Sequence, residues 1–329
     1  MTQTVSEVLS EVRGQVGFIT LNRPRALNAL SLAMVRDLMA ILLAWQSDER
    51  VLAVAVRGSN KEGPFGAFCA GGDIRFLHQA GTVGNPQLED FFTEEYVLNH
   101  LIHNYAKPYI AFMDGIVMGG GYFLSRCPGH VGEWLALSGE TIGAEQAIAC
   151  GLADQQIALE QQEPLWQQLG SESFADGAAV KDFVVSKLIA ASAQPIRARA
   201  EIDQYFALDS VSAIVAALEA AGSEWASATA ATLRKRSPLM QHVVLEQIRR
   251  ARQMGLADDL RMERDLVRHC FYLRPGQSET LEGIRALAVD KCQAPQWQPA
   301  RIEDVTPEMV APFFVSPWPA HAHPLAHLQ

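Results

Sequence analysis

Residues 114–123, DGIVMGGGYF, decide the fold, because an apolar segment runs there into three consecutive glycines and then into a helical pattern. The apolar run at 109–113 just before them is typical of a buried strand. Glycine has no side chain to cover the backbone, so the turn exposes its N–H groups at the start of the following helix. The stretch therefore predicts a strand, a turn that binds an anion or an oxyanion, and a helix.

A second turn of small residues lies upstream, in GAFCAGGDI at residues 66–74. It follows VLAVAV at 51–56, a run typical of a parallel strand buried on both faces, and it precedes a helical stretch. Ligands bind at the carboxyl ends of the strands in such sheets, so the two turns are expected to pair their N–H groups. Cys69 is not predicted to be a nucleophile, since no motif places a histidine beside it.

The remaining N-terminal half alternates strand and helix patterns. Residues 5–12 and 15–21 alternate apolar and polar side chains, as the strands of a hairpin do. Ser31 is placed to cap a helix that ends near residue 46, and a further helix is predicted over 86–105. This order predicts an α/β fold with right-handed crossovers between parallel strands.

The second half of the sequence is mostly helical in pattern. A helix over 122–137 is expected to break at Pro128-Gly129, and little strand signal remains from residue 182 onward. Ser237-Pro238 combines a helix cap with a proline at the first helical position, and another helix is predicted over 256–272. These helices are expected to form a second unit.

Composition limits the classes of function. The chain has 329 residues, 49% of them hydrophobic and 19% charged, which fits a soluble globular protein with one large core and a smaller unit. Its formal net charge of -10 argues against a general nucleic-acid binder. Local arginines and lysines can still bind a phosphorylated ligand.

Cysteine and histidine usage indicates neither a disulfide framework nor a metal site. The five cysteines are odd in number and contain no Cys-x-x-Cys pair. The start of the chain shows no targeting pattern and no apolar stretch is long enough to cross a bilayer, so a cytoplasmic location is predicted. The proline-rich tail at 311–329 contains His321, His323 and His327, which lack the spacing of a metal site. We therefore predict a disordered tail in place of a metal site.

Glu95 is an informative misfit in the predicted helix over 86–105. At 100° per residue it lies between Leu88 and Ile102, inside the apolar arc that also contains Phe91. A carboxylate there faces inward, where it pairs with a nearby arginine, lies in a groove between elements, or has a functional role.

At these residues the sequence resembles the crotonase (enoyl-CoA hydratase/isomerase) superfamily, and within it the 3-hydroxyisobutyryl-CoA hydrolase branch. The two turns look like the family's two oxyanion-hole segments, and 22–30, 91–96 and 282–297 continue the resemblance over nearly the whole chain. The resemblance implies a crotonase-like (ClpP/crotonase) spiral core over 1–180 and a helical C-terminal region over 181–310. It leaves room for a homo-oligomer.

The resemblance also implies a site for a small acyl-CoA substrate, with coenzyme A as part of the substrate and no metal, redox cofactor, nucleic acid or membrane involved. Backbone N–H groups would stabilise the charge that develops on the thioester oxygen. Carried over by position, the two donors are Ala70 and Gly120. The residues expected to bind the substrate or shape its pocket are Glu95, Gly71, Gly72, Asp73, Gly119, Arg25, Ala26 and Leu27.

One departure from the family pattern concerns the triplet. The family has two glycine triplets, and the segment between them contains its catalytic Glu and Asp, whereas this chain has one triplet that resembles both. Roughly thirty residues, about the length of one βαβ step, are therefore predicted to be missing near 121/122. Glu140 is not expected to replace the lost Glu, because its flanking residues fit a later part of the family.

These features predict an acyl-CoA thioesterase by descent, whose implied reaction is the hydrolysis of 3-hydroxyisobutyryl-CoA in valine catabolism. With the acidic pair absent, little thioesterase activity is expected. Two alternatives remain open: an enoyl-CoA hydratase or isomerase, and a catalytically impaired acyl-CoA-binding member of the family.

Overall fold

The computed structural model describes residues 6–61, 66–118, 120–188, 196 and 198–329. These residues form two compact units. The first contains the described residues of Met1–Leu77, Pro86–Met118 and Gln155–Ala190, and the second contains those of His78–Asn85, Gly119–Asp154 and Ala191–Gln329.

This division does not follow the single boundary predicted at residue 180. The segments 78–85 and 119–154 interrupt the first unit in sequence, yet they belong to the second. The reason is packing, because the helices within 119–154 bury their apolar faces against helices from the C-terminal part of the chain.

The first unit contains a four-stranded sheet in the order β1 (Val8–Arg13), β2 (Val16–Leu21), β3 (Ala53–Gly58) and β4 (Tyr109–Phe112). β1 and β2 pair antiparallel, whereas β2 with β3 and β3 with β4 pair parallel. The predicted hairpin and parallel strands are thereby confirmed. β4 is an edge strand of the sheet that the described residues form.

The described helices are α1 (Leu32–Ser47), α2 (Ile74–Val83), α3 (Gln87–His103), α4 (Gly121–Ser125), α5 (Val131–Ser138), α6 (Ala144–Ala149), α7 (Leu159–Ser171), α8 (Gly177–Ser186), α9 (Arg199–Phe206), α10 (Val211–Ala220), α11 (Glu224–Leu233), α12 (Pro238–Ala251), α13 (Leu256–Tyr272), α14 (Glu279–Ile284) and α15 (Pro307–Val310). Shorter helical turns lie at Pro24–Ala26, Arg285–Val289, Ile302–Asp304, Ala311–Phe314 and Ala320–Ala322. None of the helices in this part of the chain is long and apolar enough to span a bilayer.

Several helix limits agree with the local sequence signals. The Ser31 hydroxyl accepts a hydrogen bond from Met34 N at 3.2 Å, and Ser237 does the same for Met240 N at 3.2 Å. α13 has the predicted bounds, and the break at Pro128-Gly129 separates α4 from α5. Capping residues and prolines act on their own neighbours in the chain, so the helix limits that they set can be predicted from the sequence.

The core of the first unit lies where the sheet packs against α7 and α8. Trp166 on α7 contacts Phe18 and Phe112 edge-on, with ring centroids 4.8 Å and 5.4 Å apart. Val180 and Val184 on α8 complete the same cluster. The buried sheet residues of this core come from β2, β3 and β4, so the edge strand β4 is anchored by Phe112.

The core of the second unit is built from helices alone. Buried side chains of α5, α9, α10 and α11 form its main cluster, which includes Trp134, Ile202, Phe206, Ile214 and Leu233. The short helix α4 packs against α5, α12 and α13. Gly120 and Gly121 are thereby placed at the start of a helix that is itself well supported.

The tail at 311–329 is not disordered, which corrects the prediction. Phe313, Leu325 and Leu328 are buried, and the Arg261 guanidinium on α13 donates to the carbonyl oxygens of Leu325 (3.2 Å) and Leu328 (2.5 Å). These buried apolar residues were not recognised in the sequence, because they lie among prolines and their spacing is too irregular for a helix or a strand. Within the described residues no group of three metal-binding side chains lies together.

Candidate active site

The first turn is fastened to the segment that follows β4. Phe68 N donates to Asp114 O at 2.8 Å and Cys69 N donates to Ile116 O at 3.2 Å, and Cys69 forms a parallel bridge with Val117. These contacts align residues 68 and 69 of the turn with residues 114–117 beyond the end of β4. The first turn and the approach to the triplet are neighbours within the first unit.

The N–H groups of this turn are not used as the sequence predicts. The Ala70 N–H, the predicted oxyanion donor, donates to Leu27 O at 3.1 Å. The N–H groups of Gly71 and Gly72 donate no hydrogen bond to any described residue. Gly71 has φ +83°, a conformation that strongly favours glycine. The donors available to a ligand are therefore Gly71 and Gly72, and the assignment to Ala70 is corrected.

Helix α3 lies directly against this turn. A Cβ on Gly72 would be 3.0 Å from Phe91 Cζ, so the close approach depends on glycine. One turn of helix further on, Glu95 accepts a hydrogen bond from Asn99 Nδ2 at 2.7 Å. Glu95 is also close enough to the Cys69 thiol to contribute, after burial, to the raised pKa of that thiol.

The inward position predicted for Glu95 is confirmed, and its arginine partner is not found among the described residues. Its neighbour Glu94 makes the ion pair instead, with Arg36 at 2.6 Å. Burial raises the pKa of Glu95 to about 7, against the opposing effect of the Asn99 hydrogen bond. Glu95 is thus a carboxyl group with a pKa near neutral on the helix that packs against the turn.

Asp73 has a structural role in this arrangement. Arg23 Nη2 donates to its carboxylate at 2.8 Å, and the backbone N–H groups of Arg75 and Phe76 donate to it at the start of α2. Burial opposes ionisation, but these hydrogen bonds outweigh it and lower the pKa of Asp73. Asp73 holds the turn in place, and its predicted contact with a substrate stays a prediction.

The segment expected to contact coenzyme A forms a tight turn beside the first turn. Arg25 and Ala26 lie in the helical turn at Pro24–Ala26, and Arg25 is exposed. Leu27 and Asn28 have φ of 51° and 55°, which is uncommon for residues with side chains. Such strain persists only where surrounding contacts enforce it.

Asn28 supplies those contacts, and sequence reasoning missed it. Its buried side chain donates to Ala67 O at 2.6 Å and to Ser59 O at 3.0 Å, and it accepts from Arg23 N at 2.9 Å. An asparagine between apolar residues just after a hairpin was the available signal, since asparagine tolerates a left-handed conformation.

The triplet lies in the second unit from Gly120 onward. Gly120 is exposed, and a Cβ added to it would meet nothing within 4 Å. Gly121 N donates to Glu263 Oε1 on α13 at 2.9 Å, and Gln247 Nε2 on α12 donates to the same oxygen at 2.9 Å. Gly119 lies outside the described residues. Because Ala70 and Gly120 belong to different units, their predicted pairing stays a prediction.

Glu263 and Gln247 were also missed from the sequence, although a signal for Glu263 existed. Glu263 lies at helical spacing from Leu256, Leu260 and Val267, on the apolar stripe of α13. The argument that identified Glu95, a carboxylate on the apolar side of a helix, would also have identified Glu263. Glu140, which superficially resembles the family's lost Glu, is exposed.

Comparison with known proteins bears on both turns. A family model described as enoyl-CoA hydratase/isomerase matches the chain in two pieces, residues 16–122 and 120–314. The zebrafish protein named 3-hydroxyisobutyryl-CoA hydrolase, mitochondrial, is 34% identical over 351 positions, covering 94% of this chain and 90% of the relative. The Arabidopsis thaliana protein named 3-hydroxyisobutyryl-CoA hydrolase 1 is 31% identical, covering 94% and 91%.

Two solved structures share the fold. A carnitinyl-CoA dehydratase from Mycobacterium thermoresistibile superposes with a TM-score of 0.85 at 30% identity, covering 94% of this chain and 97% of that one. An enoyl-CoA hydratase from Rhodobacter sphaeroides gives a TM-score of 0.82 at 30% identity, covering 95% and 98%. The predicted fold class is thereby confirmed.

The predicted cytoplasmic location is contradicted by the relatives. The similar proteins from zebrafish, cattle and mouse are all named as mitochondrial. The sequence argument rested on the absence of a targeting pattern at the start of the chain, and such an absence is weak support for any location.

Proposed function

This chain belongs to the enoyl-CoA hydratase/isomerase family, in the branch of the 3-hydroxyisobutyryl-CoA hydrolases, and we propose that it binds an acyl-CoA thioester and hydrolyses it at a low rate. The substrate we propose is 3-hydroxyisobutyryl-CoA, and the products are the free acid and coenzyme A. The observation that carries the proposal is the first turn, where Gly71 and Gly72 present N–H groups that no described residue uses. Coenzyme A is part of the substrate, and the proposed reaction needs no further cofactor.

The chemistry follows from what a thioester requires. Water adds to the carbonyl carbon, so negative charge develops on the carbonyl oxygen, and each well-placed N–H donor stabilises that charge by about 3 to 4 kcal/mol. Within the first unit we assign this role to Gly71 and Gly72. For the second unit, taken by itself, we propose Gly120 as a donor. None of the three has a side chain that would shield its N–H group.

The carboxyl group of Glu95 suits a substrate with a hydroxyl group on its acyl chain. Because its pKa is about 7, both forms are populated near neutral pH, and either form can hydrogen-bond a hydroxyl. At the other end of the substrate, the exposed Arg25 offers positive charge to the coenzyme phosphates. The net charge of -10 makes such a local cation more important for binding.

We also propose that the low rate reflects a missing segment at the triplet. Three observations support this. The two pieces of the family match overlap at residues 120–122, and the zebrafish alignment has more positions than this chain has residues. A third is the surface that follows β4, where Met113, Ile116, Val117 and Met118 are all exposed, Met118 to 66%. Four large apolar side chains within six residues are expected where a neighbouring segment is lacking.

The test compares two substitutions at Gly120. Gly120→Pro removes the N–H donor, whereas Gly120→Ala keeps it and places its Cβ in open space at an ordinary φ of -94°. We expect thiol release from 3-hydroxyisobutyryl-CoA to fall about 100-fold in Gly120→Pro and to stay near the wild-type rate in Gly120→Ala. A folded Gly120→Pro protein with wild-type turnover would remove Gly120 from the site.

The alternative activity is separated by the same assay. Enoyl-CoA hydration is the function named for the Rhodobacter sphaeroides neighbour, and it consumes the conjugated enoyl group without releasing thiol. Loss of enoyl absorbance without thiol release would therefore favour the hydratase and reject the hydrolase.

A further inference from the structure

Strand β4 has one free edge. It pairs with β3 on one side, and no other strand of the described residues pairs with it. Val54 on β3 lies opposite Tyr109, and the Val54 N–H donates to Pro108 O at 2.8 Å. A residue in a parallel ladder bonds to the two neighbours of the residue opposite it, so the backbone groups of Tyr109, Ala111 and Met113 point away from β3. These groups form a row of donors and acceptors along the edge of the sheet.

The side chains around this edge leave it open to another strand. Ala111 and Met113 are exposed, and β4 contains neither a charged residue nor a proline. The apolar residues Ile116, Val117 and Met118, which follow, are exposed as well. Charged side chains and prolines are what normally prevent edge strands from pairing with other chains. The free edge of β4 lacks this protection.

The opposite edge of the sheet, at β1, is protected in this way. Glu11 and Arg13 lie on β1 and form an ion pair at 3.1 Å. The Arg13 guanidinium also donates to Gln167 Oε1 on α7 at 2.7 Å, which fixes this charge beside the strand. A further strand at β1 would therefore have to displace or accommodate charged side chains. Of the two edges, β4 is the one suited to pairing.

We propose that two copies of this chain associate by pairing their β4 strands antiparallel, about a two-fold axis at Ala111. In this register Ala111 lies opposite Ala111 of the other copy, and Tyr109 lies opposite Met113 of the other copy. Each outward N–H then meets a carbonyl oxygen. Both copies use the same surface, as a two-fold interface requires. The inference goes beyond the proposed function and holds whether or not the chain hydrolyses a thioester.

Charge complementarity favours a second copy of this chain as the partner. Lys107 precedes β4 and Asp114 follows it, so the strand has a positive end and a negative end. Lys107 Nζ donates to the carbonyl oxygens of Trp45 and Asp48, and Asp114 Oδ1 accepts the Gly115 N–H. These contacts are with backbone groups, so they neutralise neither charge. Antiparallel pairing places the negative end of one β4 beside the positive end of the other, whereas parallel pairing would place like charges together.

Two substitutions at β4 test the proposal against a matched one at β1. Ala111→Pro removes an outward N–H and leaves the ladder with β3 in place, and Met113→Lys adds a charge to the edge. Leu9→Lys adds the same charge to β1, where Leu9 is 44% exposed, close to the 41% of Met113. A strand of this length gives a small interface, so we expect a wild-type dimer that dissociates on dilution. Sedimentation should give a dissociation constant at least about tenfold higher in both β4 variants and unchanged in Leu9→Lys.

Amide hydrogen exchange tests the same edge without any substitution. In the wild-type protein the N–H groups of Tyr109, Ala111 and Met113 should exchange more slowly as the protein concentration rises. Those of Ile110 and Phe112, which face β3, should not change. A protein that is monomeric at every concentration would overturn the proposal, and so would a dimer that Ala111→Pro and Met113→Lys leave unchanged. Slow exchange at Ala111 in a monomer would also overturn it, because another segment would then cover the edge.

Discussion

Glu95 shows how the burial of one carboxyl group makes the stability of the fold depend on pH. Its pKa is raised to about 7 by burial, so the folded protein binds its proton more tightly than the unfolded chain does. The stabilisation from this proton is complete below the ordinary pKa of about 4.5 and is lost as the pH rises through about 7. Above that pH the folded state contains a half-buried charge.

Glu95→Gln removes the titration and should therefore change the pH dependence of stability. At about pH 8.5 we expect this variant to be more stable than the wild type by about 2 kcal/mol, with the difference shrinking towards about pH 5. Urea unfolding at several pH values measures it. The control is Glu94→Gln, which removes an exposed pair with Arg36 and should change stability by about 0 to 1 kcal/mol at all these pH values.

A difference between Glu95→Gln and the wild type that does not vary with pH would contradict this account of Glu95. The sequence predicted its inward position from helical spacing alone. It could not predict that Arg36 pairs with Glu94 instead, because the partner lies on α1, far away in sequence.

At the scale of elements, the tail shows how apolar anchors hold an irregular segment. Phe313 is buried in a cluster with Leu239, Val243, Met262 and Leu266, which belong to α12 and α13. The neighbouring Val315 is 64% exposed. The two positions differ in burial although both are apolar and only two residues apart.

Phe313→Ala should therefore destabilise the second unit by about 3 to 5 kcal/mol, through lost burial and the cavity left behind. Val315→Ala is the matched control and should be close to neutral, since its side chain is already in water. Thermal unfolding of both variants measures the difference. Equal small effects would mean that the tail is attached loosely.

Elements with local signals could be predicted, and elements set by distant partners could not. The Ser237 cap and the proline at position 238 defined the start of α12, and the break at Pro128-Gly129 was also visible. The two glycine turns were found, but the use of their N–H groups was not. Whether Ala70 N–H is free depends on Leu27, forty-three residues earlier, whose carbonyl takes it.

At the scale of the whole molecule, the chain has its family's fold, and we propose that it lacks a segment at the glycine triplet. The similarity covers 94% of the chain, and two solved structures superpose with TM-scores above 0.8. The break in the family match and the exposed apolar run after β4 coincide in sequence with the triplet. We infer that the rate of catalysis is limited by what is absent there, and the fold persists without it.

The central claim is therefore tested by restoring the segment. The segment that the family resemblance places after the first glycine triplet, up to and including the second triplet, would be inserted between Gly121 and Tyr122, and thiol release from 3-hydroxyisobutyryl-CoA would be measured for both chains. The account predicts a slow rate above the uncatalysed one for this chain, and a rate at least about 100-fold higher for the restored chain. Equal rates in two folded proteins would contradict it, because they would show that this chain already contains the full catalytic machinery of its branch.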